Sequence, residues 1–279
     1  MLTVKQVGLL VLLAVLSCGL MSGGNIILSG HDNDIHCSLY ASTGPAGGCD
    51  QFLAMAIFAR NGSILPVLAL ATGPYLAATL DYWSIPYTQV DPEAGVPDAA
   101  LFNPSLYSAI AVASHVSCGG CDNSTAGMAN LALAAPSFTS FFNGGGGILA
   151  FASASLGTAY YDFIPASAAV PGLVDCSVGC FTGTAAGAGI GILANNDDFT
   201  HNFFEFPGVG AMDADWKVAE TYTGTAEGGA LSLTDQPITV FIENGTIGGG
   251  GISTAPEPGT VALFGLGMVL LAVRRRRMQ

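Results

Sequence analysis

The sequence predicts an α/β fold of three layers, a mostly parallel sheet with helices on both faces, and two observations carry that prediction. Short runs that are apolar at every position recur along the chain, and segments with apolar residues at helical spacing stand between them. Continuous apolar runs suit strands covered on both sides, and gaps of roughly 10 to 20 residues leave room for the crossovers that parallel pairing requires. Composition agrees: 51% of the 279 residues are apolar and only 10% are charged, enough for a sizeable core and far from a disordered chain.

The elements follow in order. Residues 25–29 (NIILS) read as a buried strand, and 50–60 (DQFLAMAIFAR) as a helix opened by an Asp. The runs at 64–70 and 108–113 are further strand candidates. Residues 124–142 read as a helix, with an Asn/Ser/Thr start suited to capping, four glycines after Asn143, and Pro136 expected to split it. Strands are expected at 147–152, 189–193, 216–220 and 238–242. The Gly-, Ala- and Cys-rich stretch 171–191 reads as an excursion from the sheet, and 245–255 as a flexible linker. Domain boundaries are therefore expected at 1–24, 25–244, 245–255 and 256–279.

Charge is distributed unevenly. Net charge is −13, yet five of the seven basic residues are Lys5 and Arg274–Arg277, leaving nineteen acidic residues against Arg60 and Lys217 between 25 and 255. Such a surface repels phosphate backbones and excludes nucleic acid as a partner. Residues 1–24 combine Lys5, an apolar stretch over 7–16 and a small-residue exit through Ser17, Gly19, Ser22 and Gly23, the layout of a secretory signal peptide. At the other end stand Pro256-Glu257-Pro258, an apolar span over 260–273, and Arg274, Arg275, Arg276 and Arg277. The span is short for a permanent anchor, and the arginines would stay cytoplasmic.

This tail resembles the PEP-CTERM sorting signal of Gram-negative envelope proteins. The resemblance implies export across the inner membrane, a membrane-anchored precursor with a C-terminal hydrophobic helix, processing near Pro256-Glu257-Pro258 by an exosortase-type membrane protease, and a product at the envelope, at the cell surface or in the medium. Partners implied are the export machinery, that protease, and a surface or extracellular-matrix component. Parts of the body also resemble the class I glutamine amidotransferase-like fold, a flavodoxin-like architecture, and its ThuA-like relatives. The matching pieces are residues 26–32, the strand within 107–114, the approach 141–150, and His201-Asn202-Phe203. Enzymes of that fold carry a nucleophilic Cys directly after the strand corresponding to 147–152. This chain has Ser153-Ala154-Ser155-Leu156-Gly157 there, so glutaminase activity is not implied.

Several constellations could carry chemistry. His31, Asp32, Asp34 and His36 follow the first strand, where open α/β sheets place ligands, and are candidates for a divalent metal such as zinc; the alternative is a polar loop with Asp turns. His115 and His201 also follow strand-like runs, so all four histidines are expected near one sheet edge. Beyond Cys18, six cysteines fall in close pairs: Cys37 with Cys49, Cys118 with Cys121, and Cys176 with Cys180. In an exported chain they predict disulfides, paired locally. Cys118 and Cys121 are alternatively a redox pair, or a zinc site with Cys176 and Cys180. Ser153 or Ser155 with His201, and the acidic pairs Asp197-Asp198 and Asp213-Asp215, lack the flanks and spacing of hydrolase and EF-hand sites. The leading expectation is an exported protein whose body is a non-catalytic binding or structural domain. The competing ones are a metal-dependent hydrolase or sugar-active enzyme and a thiol-disulfide protein.

Overall fold

Five parallel strands and three antiparallel ones form one sheet in the computed structural model, which describes residues 23–40, 47–118, 122–153, 160–164, 168–169, 180–195, 200–204, 216–225 and 232–247. These belong to a compact unit, Gly23–Gly248; the other unit, Met1–Ser22 with Gly249–Gln279, lies outside the described residues, and so do the expected signal helix and C-terminal hydrophobic helix. No helix among the described residues is long and apolar enough to cross a membrane.

The strands are β1 (Gly24–Ser29), β2 (Val67–Leu70), β3 (Tyr87–Val90), β4 (Ala109–Val112), β5 (Gly147–Ala150), β6 (Ala168–Ala169), β7 (Phe181–Gly183), β8 (Phe203–Phe204), β9 (Lys217–Thr225) and β10 (Ser232–Gly245). The main sheet runs β3-β2-β4-β5-β1-β10-β9-β7, and β6 pairs with β8 apart from it. Pairs from β3 to β1 are parallel, with Ile26 beside Ile148 and Leu28 beside Ala150. The late strands expected from the apolar runs at 216–220 and 238–242 are present, but they run antiparallel to their neighbours.

The helices are α1 (Asn33–Tyr40), α2 (Gly47–Arg60), α3 (Tyr75–Tyr82), α4 (Thr125–Leu133), α5 (Ala135–Asn143) and α6 (Ala185–Gly189). Strand alternation sorts them into layers. Ile26, Leu28, Leu68, Leu70, Ile110, Val112 and Ile148 pack with Met128 and Leu131 of α4 and Phe138, Phe141 and Phe142 of α5. Ile27, Val67, Ala69, Ala109, Ala111 and Leu149 face the other way, onto Phe52 and Met55 of α2 and Leu76 and Leu80 of α3. The parallel half is therefore the expected three-layer sandwich.

Local chemistry explains the boundaries. Ser124 caps α4 by accepting from the Gly127 N–H at 3.0 Å. Pro136 stands in the first turn of α5, where its missing N–H costs nothing, and the expected split falls at Ala134. The strand expected at 189–193 does not form. Instead α6 ends at Gly189, Gly191 turns the chain at φ 81°, and Ile192 drops into the core. Within the expected excursion, Phe181–Gly183 is an edge strand of the main sheet, and residues 171–179 lie outside the described set. β10 extends to Gly245 and Ile247 is buried, its N–H donating to Asn143 Oδ1 at 2.7 Å, so the start of the Gly-rich stretch belongs to the body.

Candidate functional site

The carboxyl ends of β1, β4 and β5 gather the polar residues. The chain reverses its direction of travel across the sheet between β2 and β4, the point where open α/β sheets hold ligands. Here that crevice is filled: Asn123 Nδ2 donates to Leu70 O and to Ala113 O, both at 3.0 Å, and its Oδ1 accepts from the Thr72 N–H. Beside it Asp122 accepts from the N–H groups of Tyr75 at 3.1 Å and Leu76 at 2.7 Å, capping α3 from a distant loop. Gly73 is required there because a Cβ would run into the Asp122 carboxylate. Burial pushes the Asp122 carboxyl up while those two N–H groups pull it down, and the net direction is upward.

A second, buried polar region lies two strands over from β4, at the end of β1. Gly30 passes so close to Asn202 O that no Cβ fits, and its own carbonyl accepts from the His201 N–H at 2.7 Å. That contact lays His201 and Asn202 over the strand ends, and Asn202 Oδ1 accepts from the Ser153 N–H at 3.1 Å.

Around this point stand two clusters. In the first, Glu220 of β9 is fully buried and accepts four hydrogen bonds: from His31 Nε2 at 3.2 Å, Gln51 Nε2 at 3.0 Å, Thr239 Oγ1 at 2.9 Å and the Asn195 N–H at 2.6 Å. The ring closes through Asn33, whose Nδ2 donates to Gln51 Oε1 at 2.6 Å and whose Oδ1 accepts from Asn195 Nδ2 at 2.9 Å. Burial alone would raise the Glu220 carboxyl, but the His31 charge and these donors outweigh it and hold the group below the usual carboxylate range.

In the second, Asp32 Oδ1 lies 3.2 Å from His201 Nε2 and 3.6 Å from His36 Nδ1, one helical turn along α1. Asp32 and His201 are buried, and His36 is partly exposed. Neither ring nitrogen of His201 makes a hydrogen bond.

The four residues predicted as metal ligands thus part company. His31 turns to Glu220, Asp34 to Ser114, and only Asp32 and His36 stay together. Asp34 accepts from the Ser114 N–H at 2.8 Å and its hydroxyl at 2.8 Å, and complete burial pushes its carboxyl up to about 8 against the downward pull of that N–H. His115 is tied to Ser117 Oγ at 2.7 Å and Thr125 Oγ1 at 3.1 Å, with burial lowering its pKa. Among the described residues no three His, Cys, Asp or Glu side chains are placed so that they could hold a metal ion.

Of the cysteines, Cys37 and Cys49 are joined as expected, tying α1 to α2. Cys180 is also disulfide-bonded, which removes it from a zinc set with Cys118, Cys121 and Cys176. Residues 119–121 and Cys176 lie outside the described residues, as do Ser155, Asp197-Asp198 and Asp213-Asp215. Sequence reasoning missed Glu220, Gln51, Asn195 and Asp122 altogether, since each works through partners far away in the chain.

No curated protein and no solved structure matches the chain. Residues 254–277 match the PEP-CTERM protein-sorting motif. The chain therefore carries the sorting signal of an exported protein that an exosortase, a membrane protein, processes.

Proposed function

We propose that the protein is a Gram-negative envelope or surface protein whose body is a non-catalytic binding domain on an amidotransferase-like scaffold, delivered by its C-terminal tail. The observation that carries this reading is the use made of the polar side chains at the strand ends. Asp34, Asp122, Asn123 and Glu220 are engaged in holding backbone and neighbouring side chains in place, and such networks favour one rigid arrangement. At the turn after β5, where the amidotransferase fold places its nucleophile, this chain has Ser153, buried and with its N–H on Asn202. A rigid α/β body with Ser153 in place of a nucleophilic Cys at that turn suits capture of a ligand at the surface.

The test uses the full chain in its own host. The wild type should give a shortened product beyond the inner membrane. A chain with Arg274–Arg277 all replaced by Gln, or with Pro256→Ala and Pro258→Ala, should accumulate as unprocessed, membrane-bound precursor. Normal processing and release of both variants would contradict delivery by the tail.

A further inference from the structure

We infer that Asn61 is a site of spontaneous backbone modification: in the folded protein the Asn61-Gly62 pair closes to a succinimide and reopens as aspartate and isoaspartate, while two other Asn-Gly pairs are held against the same reaction. The inference goes beyond the reading of the body as a binding domain and does not depend on it.

The sequence contains three Asn-Gly pairs, at 61–62, 143–144 and 244–245. Each offers what the reaction needs, a side-chain amide within ring-forming reach of the next backbone nitrogen and a Gly with no Cβ to crowd the approach. The structure separates them. Asn143 ends α5 with its amide bound on both sides, Nδ2 donating to Ile247 O at 2.9 Å and Oδ1 accepting from the Ile247 N–H at 2.7 Å. The nitrogen that would attack it is engaged too, since the Gly144 N–H donates to Ser140 O at 3.0 Å. Asn244 lies within β10, its N–H donating to Asn25 Oδ1 at 2.9 Å, and Gly245 is paired with Gly24 of β1 with the Ile242 and Phe142 side chains against it.

Asn61 is the contrast. It follows Arg60, the last residue of α2, in an exposed turn with φ 48° at Asn61 and 75° at Gly62. Asn tolerates that left-handed region better than most side chains, which accounts for its place at the helix end. The Ser63 N–H closes the turn on Arg60 O at 2.9 Å, and the Asn61 N–H donates to Ile57 O and Phe58 O, both at 3.2 Å. Among the described residues no group hydrogen-bonds the Asn61 side-chain amide or the Gly62 N–H, the two partners in the reaction. A Cβ added at Gly62 would meet nothing within 4 Å, so the peptide has room to rotate into the attacking geometry.

The Gly62 nitrogen gives its proton to water and attacks Asn61 Cγ; the N–Cγ bond forms, the Cγ–Nδ2 bond breaks, and ammonia leaves with a proton from water. Water then opens the ring. Breaking the new N–Cγ bond leaves aspartate in the original chain, and breaking the original peptide bond leaves isoaspartate, with the main chain running through Cγ. Nothing is oxidised or reduced, and water is the co-reactant. Either product places a carboxylate at the carboxyl end of α2, where the helix dipole disfavours negative charge.

The experiment incubates the processed protein exported by its host in warm, mildly alkaline buffer, folded and in denaturant, and follows each Asn by peptide mass mapping and by enzymatic methylation of isoaspartate. In the folded protein Asn61 should convert more than about tenfold faster than Asn143, whose reaction first breaks several hydrogen bonds, and Asn244 should lag likewise. In denaturant the three rates should converge. Asn61→Gln, whose longer side chain disfavours ring closure, should remove most of the methylation seen in the folded protein. An Asn61 that stays intact in the folded protein while the unfolded chain converts overturns the inference. So does Asn143 or Asn244 converting as fast as Asn61 in the folded protein, and so does methylation undiminished in Asn61→Gln.

Discussion

Two polar clusters meet at the end of β1, and they differ in what surrounds the carboxylate. Around Glu220 four donors converge on one carboxylate, and Gln51, Asn33 and Asn195 complete a ring. Around Asp32 two imidazoles approach one oxygen, the buried His201 at 3.2 Å and the partly exposed His36 at 3.6 Å. A carboxylate fixed by four converging donors rigidifies its surroundings more than one whose contacts include a partly exposed ring. The same loop after β1 serves both: His31 fastens it to the antiparallel wing, and the buried Asp32 pairs with His201 and His36.

The contrast is broken most severely at Glu220. Glu220→Ala leaves the His31 ring, the Gln51 amide, the Thr239 hydroxyl and the Asn195 N–H without their acceptor, and is expected to cost about 3–5 kcal/mol, measured by denaturant unfolding. The pH dependence sharpens the same point. The Glu220 carboxyl is depressed in the folded protein, so its contribution is present above the unfolded glutamate pKa of about 4.3 and is lost as pH falls through the lower folded value. Glu220→Gln should accordingly flatten the acid limb of the Tm–pH curve.

Smaller effects are expected where the role is a single cap. Asp122→Ala removes the only side-chain acceptor at the start of α3 among the described residues and should cost about 1–2 kcal/mol, with faster hydrogen exchange confined to Tyr75 and Leu76. Least of all should be felt at the partly exposed ring beside Asp32: His36→Gln should change stability by less than about 1 kcal/mol. A cost as large as that of Glu220→Ala would show that the two clusters are alike.

What could be read in the chain followed from locality. β1, β4, β5, α2 and the broken α4–α5 pair announce themselves by apolar runs, a capping Ser124 and a well-placed Pro136, because the forces that form them act within a few residues. α3 was invisible for the opposite reason: its N-terminus has no side-chain cap of its own, and Asp122, 46 residues beyond Leu76, supplies one. α1 opens with Asn33 and Asp34, residues that signal turns, and is held by Asp34 on Ser114 and by the bridge from Cys37 to Cys49. The apolar alternation at 189–193 looked like a strand, but Gly191 turns the chain there.

The site was legible in its composition and not in its pairing. Four histidines and two aspartates stand after strand ends, but His31 and Asp34 do not face one point, because each turns to a distant partner, Glu220 and Ser114. Those partners lie 189 and 80 residues away, and no spacing in the sequence reports them. The tail is the reverse case: Pro256-Glu257-Pro258 and the four arginines act through local chemistry alone, and the motif match covers them.

The most direct measurement of the difference between the clusters is denaturant unfolding of the processed protein with Glu220→Ala set beside His36→Gln. The account predicts a loss of about 3–5 kcal/mol for the first and of less than about 1 kcal/mol for the second. Equal costs, or no cost at Glu220, would contradict the account.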